Sequence, residues 1–203
     1  GLKLEKALKE FNIKIEGKTC LDIGSSTGGF TDVMLQNGAK LVYALDVGTN
    51  QLAWKIRSDA RVVVMEQFNF RNALLSDFEQ GRPAFTSIDV SFISLELILP
   101  PLYEILEEGG EVAALIKPQF EAGREQVGKN GIIRDPKVHK MTIEKVLAAA
   151  TRLGFSIKGL TFSPIKGGAG NVEFLVHLLK DEKAEISQQI NIESVLQEES
   201  EEL

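Results

Sequence analysis

The stretch CLDIGSSTGGFTDVML, residues 20–35, places three glycines between a short apolar run and an amphipathic one. A P-loop would require Gly-Lys-Ser/Thr at the end of the loop, and no lysine follows Gly28 and Gly29. A dinucleotide fingerprint would require G-x-G-x-x-G, whereas Gly24 is followed two residues later by Ser26. The spacing G-x-x-x-G-G therefore predicts a strand-to-helix turn whose backbone approaches a ligand of another kind.

Two acidic residues narrow the choice of ligand. Asp22 precedes the turn, where a carboxylate disfavours a pyrophosphate and suits a cationic or amino-bearing group. Asp46 ends the next apolar run, where an acid can accept hydrogen bonds from ribose hydroxyls. An adenosine with a positively charged amino-acid tail meets these demands, so S-adenosylmethionine is the predicted cofactor. In the alternative interpretation the glycines only shape a turn and Asp22 only caps the following helix.

Short apolar runs alternate with longer helical patterns along the rest of the chain. This alternation is typical of an α/β fold with a mostly parallel sheet and helices on both faces. Pro100 and Pro101 should kink or restart their helix. The short segment 163–171 between the last two strands favours a hairpin, and hence an antiparallel strand near the end of the sheet. The predicted strands are 19–24, 41–47, 62–67, 85–93, 111–120, 155–164 and 171–179, and the predicted helices are 1–11, 28–38, 50–59, 95–109 and 136–154.

Composition excludes several classes of protein. The 203 residues suit one globular domain, no apolar run reaches the length of a membrane span, and one cysteine with two histidines argues against structural zinc. The net charge of the chain is −6, but residues 181–203 hold eight acids and one lysine and so carry −7, which leaves the remaining body nearly neutral at +1. That tail is either an amphipathic helix or, as its charge favours, a partly disordered end. A reducing cytoplasm is the expected location.

Five segments in this order resemble the TlyA/hemolysin-A family of FtsJ-type rRNA methyltransferases: DIGSSTGGFTD (22–32), ALDVGTNQL (44–52), IDVSFISL (88–95), LIKPQFE (115–121) and GNVEFLVHL (170–178). The resemblance implies a Rossmann-like class I S-adenosylmethionine-dependent methyltransferase fold with seven strands over residues 1–180, followed by the acidic tail 181–203. It also implies 2′-O-methylation of ribosomal RNA, with a cytidine as the expected target. Family members carry an N-terminal S4-type RNA-binding domain, which we expect to be absent from this chain.

The family's Lys-Asp-Lys-Glu tetrad implies four catalytic residues here: Lys3, Asp89, Lys117 and Glu173. Asp89 and Lys117 follow consecutive predicted strands, where open α/β sheets bind ligands. Lys117 would contact and activate the ribose 2′-oxygen, either as a general base or by stabilising charge, and these two roles stay open. Asp89 and Glu173 would position Lys117, and Lys3 would steady the acids or the nucleotide. In the alternative interpretation these are ordinary solvent-facing or turn residues.

The same resemblance completes the expected cofactor site. Asn69 would grip the adenine edge, and Phe70 would pack on the ring or in the core. The expected cofactor contacts are Asp22, Gly24, Ser25, Ser26, Thr27, Gly28, Gly29, Phe30, Asp46, Val47, Asn69, Phe70 and Asp89.

The expected partner is ribosomal RNA or a ribosomal subunit, with no membrane. The polar segment 119–140 follows Lys117 and carries five Arg and Lys residues, so it is either a lid that contacts phosphates or a solvated loop. Because the body is nearly neutral, we expect the chain to bind the cofactor but to methylate naked RNA poorly. Two alternatives remain: a methyltransferase for a non-RNA substrate and a membrane-active hemolysin-like protein, although no strongly basic amphipathic helix supports the latter.

Overall fold

The computed structural model describes residues 1–202 as a seven-stranded sheet with the strand order β3-β2-β1-β4-β5-β7-β6. All strands are parallel except β7, which pairs antiparallel with β5 on one side and with β6 on the other. The predicted sheet, including its antiparallel strand, is confirmed. The strands are β1 (Thr19–Ile23), β2 (Leu41–Leu45), β3 (Val62–Met65), β4 (Phe85–Ile88), β5 (Glu111–Ile116), β6 (Phe155–Phe162) and β7 (Phe174–Lys180).

Successive residues of a strand point to opposite faces of the sheet, and here both sets are apolar. Helices therefore cover both faces. In β1, Cys20 belongs to one buried cluster and Leu21 to the other. The cluster containing Cys20 packs against α1 and α2, and the cluster containing Leu21 packs against α4 and α6. The helices are α1 (Leu2–Glu10), α2 (Gly29–Gln36), α3 (Trp54–Arg57), α4 (Leu95–Ile105), α5 (Pro118–Glu121), α6 (Pro136–Leu153) and α7 (Ile192–Glu202).

The strand order reverses between β1 and β4, at the centre of the sheet. Their register pairs Cys20 with Phe85 and Ile23 with Ile88, so both strands end at the same level. Ligands in open α/β sheets bind at such a reversal, outside the carboxyl ends of the strands. The turn 24–28 and the segment that begins at Asp89 therefore lie side by side.

Several elements differ from the sequence prediction. Helix α4 runs without a break through Pro100 and Pro101, so of the two predicted effects the restart is wrong, and the kink stays a prediction. Buried Leu99 and Leu102, on either side of the two prolines, anchor the helix to the core. Strand β4 ends at Ile88 rather than at residue 93. The strand predicted over 111–120 ends at Ile116, and helix α5 begins at Pro118.

Residues 181–202 pack along the outer edge of the sheet. Backbone atoms of Glu185 and Ser187 hydrogen bond to Ile157 of the edge strand β6 at 2.8 and 3.0 Å. Helix α7 follows, with Val195 buried in the core and Glu193 paired with Lys140. Of the two alternatives for this acidic segment, the structure therefore describes the helix. Within residues 1–202 no helix is both long enough and apolar enough to cross a membrane.

Candidate active site

The glycine turn after β1 passes close to the backbone that follows β4. Gly24 has φ +85°, and a Cβ there would overlap the carbonyl oxygen of Asp89 and stand 2.9 Å from its carbonyl carbon. Gly28, with φ +104°, lies under Leu52 and Ile56 and begins α2. Only glycine fits both positions, because the left-handed conformation and the close approach coincide.

Asp46 fastens this turn to the end of β2. Its Oδ2 accepts a hydrogen bond from the Ser26 amide at 2.7 Å, and its Oδ1 accepts one from the Gly48 amide at 2.9 Å. The carboxylate lines a cavity of about 320 Å³ at the carboxyl end of the sheet. A carboxylate oxygen has two lone pairs, so each can still accept a hydrogen bond from a ligand.

The predicted cofactor residues divide between those that line this cavity and those that lie behind it. The predicted cofactor residues that line the cavity are Gly24, Ser26, Asp46, Val47, Asn69, Phe70 and Asp89. The wall does not include Asp22, Ser25, Thr27, Gly28, Gly29 or Phe30. These six residues belong to the end of β1, the turn after it and the start of α2, and their contact with the cofactor stays a prediction.

Asp22 is fully buried, contrary to its expected contact with a ligand amine. Its two carboxylate oxygens accept hydrogen bonds from Thr31 Oγ1 at 2.7 Å and from Ser87 Oγ at 3.3 Å. Burial raises the pKa of Asp22 to about 7, although both hydroxyl groups favour the charged form. The residue ties β1 to α2 and β4 instead of facing the cavity.

The four tetrad residues form two ion pairs. Lys117 Nζ lies 2.6 Å from Asp89 Oδ1, and Lys3 Nζ lies 2.7 Å from Glu173 Oε1. Gln119 donates a hydrogen bond to the second oxygen of Glu173 at 3.1 Å. Lys117, Gln119 and Glu173 line a second cavity of about 370 Å³, so the structure brings these positions together around one space.

The two cavities meet at the Lys117–Asp89 pair. Asp89 lines the first cavity and Lys117 lines the second, while Ser91 and Phe92 line both. Ser91 Oγ accepts a hydrogen bond from Lys117 Nζ at 3.3 Å. A group held in one cavity would therefore face a group held in the other across this pair.

Ser91 and Phe92 are functional candidates that sequence reasoning missed. The ring of Phe92 is 89% exposed, its φ is +63°, and it packs on Phe120 with 4.8 Å between ring centroids. A bulky residue with positive φ is rare and often marks a functional segment. Both residues belong to the motif IDVSFISL, which was the available signal, but the apolar pattern predicted strand there.

Two glycine turns of the same shape border the second cavity. In Gly128–Gly131 and Gly167–Gly170 the first glycine has φ near −79° and ψ −170°. In each turn the third residue, Asn130 or Ala169, has positive φ. The amide of the first glycine donates to the carbonyl four residues on in each case, at 3.1 and 2.8 Å. Two glycine-rich turns thus form part of the border of the cavity.

The chain is similar in sequence to known proteins. A family model described as FtsJ-like methyltransferase matches residues 1–180. The chain is 62% identical to YqxC of Bacillus subtilis over 178 residues, which cover 88% of this chain and 63% of YqxC. It is 44% identical to the 16S/23S rRNA (cytidine-2′-O)-methyltransferase TlyA of Mycobacterium tuberculosis over 176 residues, which cover 87% of this chain and 65% of TlyA. The chain therefore spans slightly less than two thirds of these two relatives.

Solved structures give the same result for the fold. A Lactococcus lactis protein described as a hemolysin is 89% identical, with a TM-score of 0.97 over 98% of this chain and 95% of that one. The N-methyltransferase NodS of Bradyrhizobium japonicum, solved with S-adenosyl-L-homocysteine, is only 10% identical, with a TM-score of 0.60 over 87% of this chain and 86% of NodS. The second likeness concerns the fold alone.

Proposed function

Because the chain belongs to the FtsJ-like methyltransferase family, we propose that it transfers a methyl group from S-adenosylmethionine to a ribose 2′-hydroxyl of ribosomal RNA. The observation that carries this proposal is the Lys117–Asp89 pair, which stands where the two cavities meet. A donor and an acceptor on either side of the pair would be adjacent. The name of TlyA specifies a cytidine of 16S or 23S rRNA as its target, and we propose the same target for this chain.

The residues of the first cavity fit the cofactor. Its volume of about 320 Å³ lies in the range of small-molecule sites. Asp46 offers carboxylate lone pairs to ribose hydroxyls, Asn69 offers a polar edge to adenine, and Phe70 and Val47 supply apolar surface. The absent side chain of Gly24 lets the glycine turn and the Asp89 backbone, both in the cavity wall, come close together. When bound, S-adenosylmethionine supplies a methyl group activated by a positively charged sulfur.

The second cavity would hold the nucleotide, with its 2′-hydroxyl against Lys117. As the 2′-oxygen forms its bond to the methyl carbon, the carbon–sulfur bond breaks and its electron pair stays on sulfur. As a neutral amine Lys117 would accept the hydroxyl proton; as the ammonium partner of Asp89 it would stabilise the charge that develops on oxygen, and the proton would pass to solvent water. Asp89 orients the Lys117 amine, and Gln119 and Lys3 fix the carboxylate of Glu173 at the other side of the cavity.

The surroundings of the second cavity suit an RNA strand. Phe92 presents an exposed ring on which a base can stack. The glycine turns allow a sugar–phosphate backbone to come close, and Lys129 and Lys166 stand on or beside them. Among residues 1–202, neither lysine has a carboxylate partner. Phosphates would supply one.

We propose the division of the chain into a methyltransferase domain, residues 1–180, and a C-terminal segment as a working boundary. Since the body is nearly neutral, residues 1–203 should bind the cofactor but methylate naked RNA slowly. An S4-type RNA-binding domain, or the folded ribosomal subunit itself, would supply the missing affinity.

Calorimetric titration with S-adenosylmethionine, with NADH as the control ligand, tests the cofactor. We expect the chain to bind S-adenosylmethionine and not NADH, and we expect Asp46→Ala to bind S-adenosylmethionine more weakly. Methyl transfer to ribosomal subunits, read by the ribose 2′-O-methyl product, should disappear in Lys117→Ala while cofactor binding persists. The proposal would be overturned if calorimetry showed binding of NADH in place of S-adenosylmethionine, or if the methyl group appeared on a base rather than on a ribose. Dye release from liposomes without any methyl transfer would favour the membrane-active alternative.

A further inference from the structure

The segments that follow β4 and β5 run side by side beyond the sheet. The first, residues 89–95, carries Asp89 and Ser91, and the second, residues 117–121, carries Lys117. They touch at the Lys117–Asp89 ion pair and again where the rings of Phe92 and Phe120 meet. The geometry of the reacting centre therefore depends on what holds these two segments together.

Glu121 makes the third link between them. Its side chain is buried, with the residue 5% exposed. Oε1 accepts a hydrogen bond from Ser94 Oγ at 2.5 Å, and Oε2 accepts one from the Leu95 amide at 2.9 Å. Lys145, on α6, donates to the Glu121 carbonyl oxygen at 2.7 Å, and its Nζ lies 3.5 Å from the carboxylate.

This carboxylate stands at the amino end of α4, whose cap is Ser94. Helix amino ends stabilise negative charge, and Leu95 is the first residue of this 11-residue helix. Ser94 Oγ also accepts from the Glu96 amide at 3.0 Å, so the same hydroxyl caps α4 and donates to Glu121. Burial raises the pKa of Glu121, whereas Ser94, the Leu95 amide and Lys145 favour its charged form.

We infer that Glu121 is a positioning residue for methyl transfer: by binding Ser94 and Leu95, it holds the 89–95 segment so that Asp89 stays paired with Lys117 and Phe92 stays at the cavity. This inference rests on the proposed function. Glu121 acts through the segment and has no contact with the reacting atoms.

The variant Glu121→Gln tests this role with little change of shape. The remaining oxygen can accept from the Leu95 amide, but the new amide NH2 replaces Oε1 beside Ser94 Oγ, which already accepts from the Glu96 amide, and 3.5 Å from the Lys145 ammonium. The variant therefore loses the carboxylate charge and replaces an acceptor by a donor that faces a cation.

We expect kcat to fall by about 10- to 100-fold, the loss that a displacement of about 1 Å produces in an active site. The dissociation constant for S-adenosylmethionine should rise by no more than about threefold, less than kcat falls, because Asp46 and Asn69 would hold the cofactor from outside the 89–95 segment.

Glu96→Gln is the matched control. Glu96 lies on the same first turn of α4, and its carboxylate is 3.9 Å from the same Lys145, but it has no hydrogen bond to residues 117–121. We expect wild-type kcat for this variant. Glu121→Asp keeps both acceptor oxygens on a shorter side chain, and it should recover part of the activity that Glu121→Gln loses.

Hydrogen exchange of residues 89–95 supplies a readout that does not require activity. Exchange should accelerate in Glu121→Gln and stay unchanged in Glu96→Gln. Faster exchange with wild-type kcat would overturn the positioning role and leave Glu121 as a structural residue, and so would loss of cofactor binding in parallel with kcat. If the wild-type chain methylated no ribosomal RNA, the proposed function would fall, while unaltered exchange in Glu121→Gln would separately overturn the link itself.

Discussion

Replacing Gly24 by alanine tests the close approach on which the cofactor site depends. The new Cβ would overlap the Asp89 carbonyl oxygen and stand 3.3 Å from Val90 Cγ1, so the turn and the 89–95 segment must separate. A side chain at φ +85° costs about 1–2 kcal/mol. Overpacking against a rigid backbone costs about 1–3 kcal/mol more. We therefore expect the free energy of unfolding to fall by about 2–5 kcal/mol.

Gly17→Ala is the matched control, because Gly17 has φ +74° but nothing within 4 Å of the added Cβ. It should lose only the conformational part, about 1–2 kcal/mol, in urea unfolding. Calorimetry should show S-adenosylmethionine binding weakened at least tenfold, about 1.4 kcal/mol, in Gly24→Ala and unchanged in Gly17→Ala. Equal unfolding energies for the two variants, together with wild-type binding by Gly24→Ala, would refute the reasoning.

Three other expectations concern the second cavity and the buried acid. Phe92→Ala should keep cofactor affinity but reduce methyl transfer to ribosomal subunits about tenfold, because base–aromatic stacking contributes about 1–3 kcal/mol; unchanged transfer would exclude the ring as a platform. Lys129→Ala with Lys166→Ala should weaken RNA binding and make it less sensitive to salt, and an unaltered salt slope in a filter-binding titration would place the phosphates elsewhere. Asp22 holds its proton up to about pH 7 when folded but releases it near pH 3.8 when unfolded, so its contribution to stability is present in acid and is lost between these values. Asp22→Asn should therefore gain stability relative to wild type as pH rises from 4 to 8, and parallel urea-unfolding curves would contradict the raised pKa.

The sequence predicted best where a backbone requirement leaves a visible mark. Gly24 and Asp46 were predicted as cofactor residues because the sequence itself indicates a tight turn after one strand and an acid at the end of the next strand. The tetrad positions came from a resemblance, and the structure pairs them as Lys117–Asp89 and Lys3–Glu173. Neither pairing follows from spacing alone.

Residues whose role depends on burial were beyond reach. The sequence predicts Glu121 to be a polar loop residue, yet it is buried because the start of α4 and helix α6 both contact it. Asp22 reads as a ligand contact, yet Thr31 and Ser87 enclose it. Phe92 reads as part of a buried strand, yet the chain leaves the sheet after Ile88 and exposes the ring. An apolar pattern predicts that a segment is buried on average. It does not show whether one particular side chain in that segment is buried or exposed.

The backbone bonds of Glu185 and Ser187 to Ile157 have a consequence for how copies of this chain meet one another. An eight-residue strand such as β6, if left with free amides and carbonyls, is a template for any other extended chain. The C-terminal segment pairs with this edge at Ile157 from within the same molecule, and α7, which carries several acids, packs against β6. Like charges on a second copy would oppose its approach to this edge. A chain cut at residue 180, the end of the matched family region, would keep the four tetrad positions but leave the edge of β6 uncovered, and we expect it to aggregate more readily as its concentration rises.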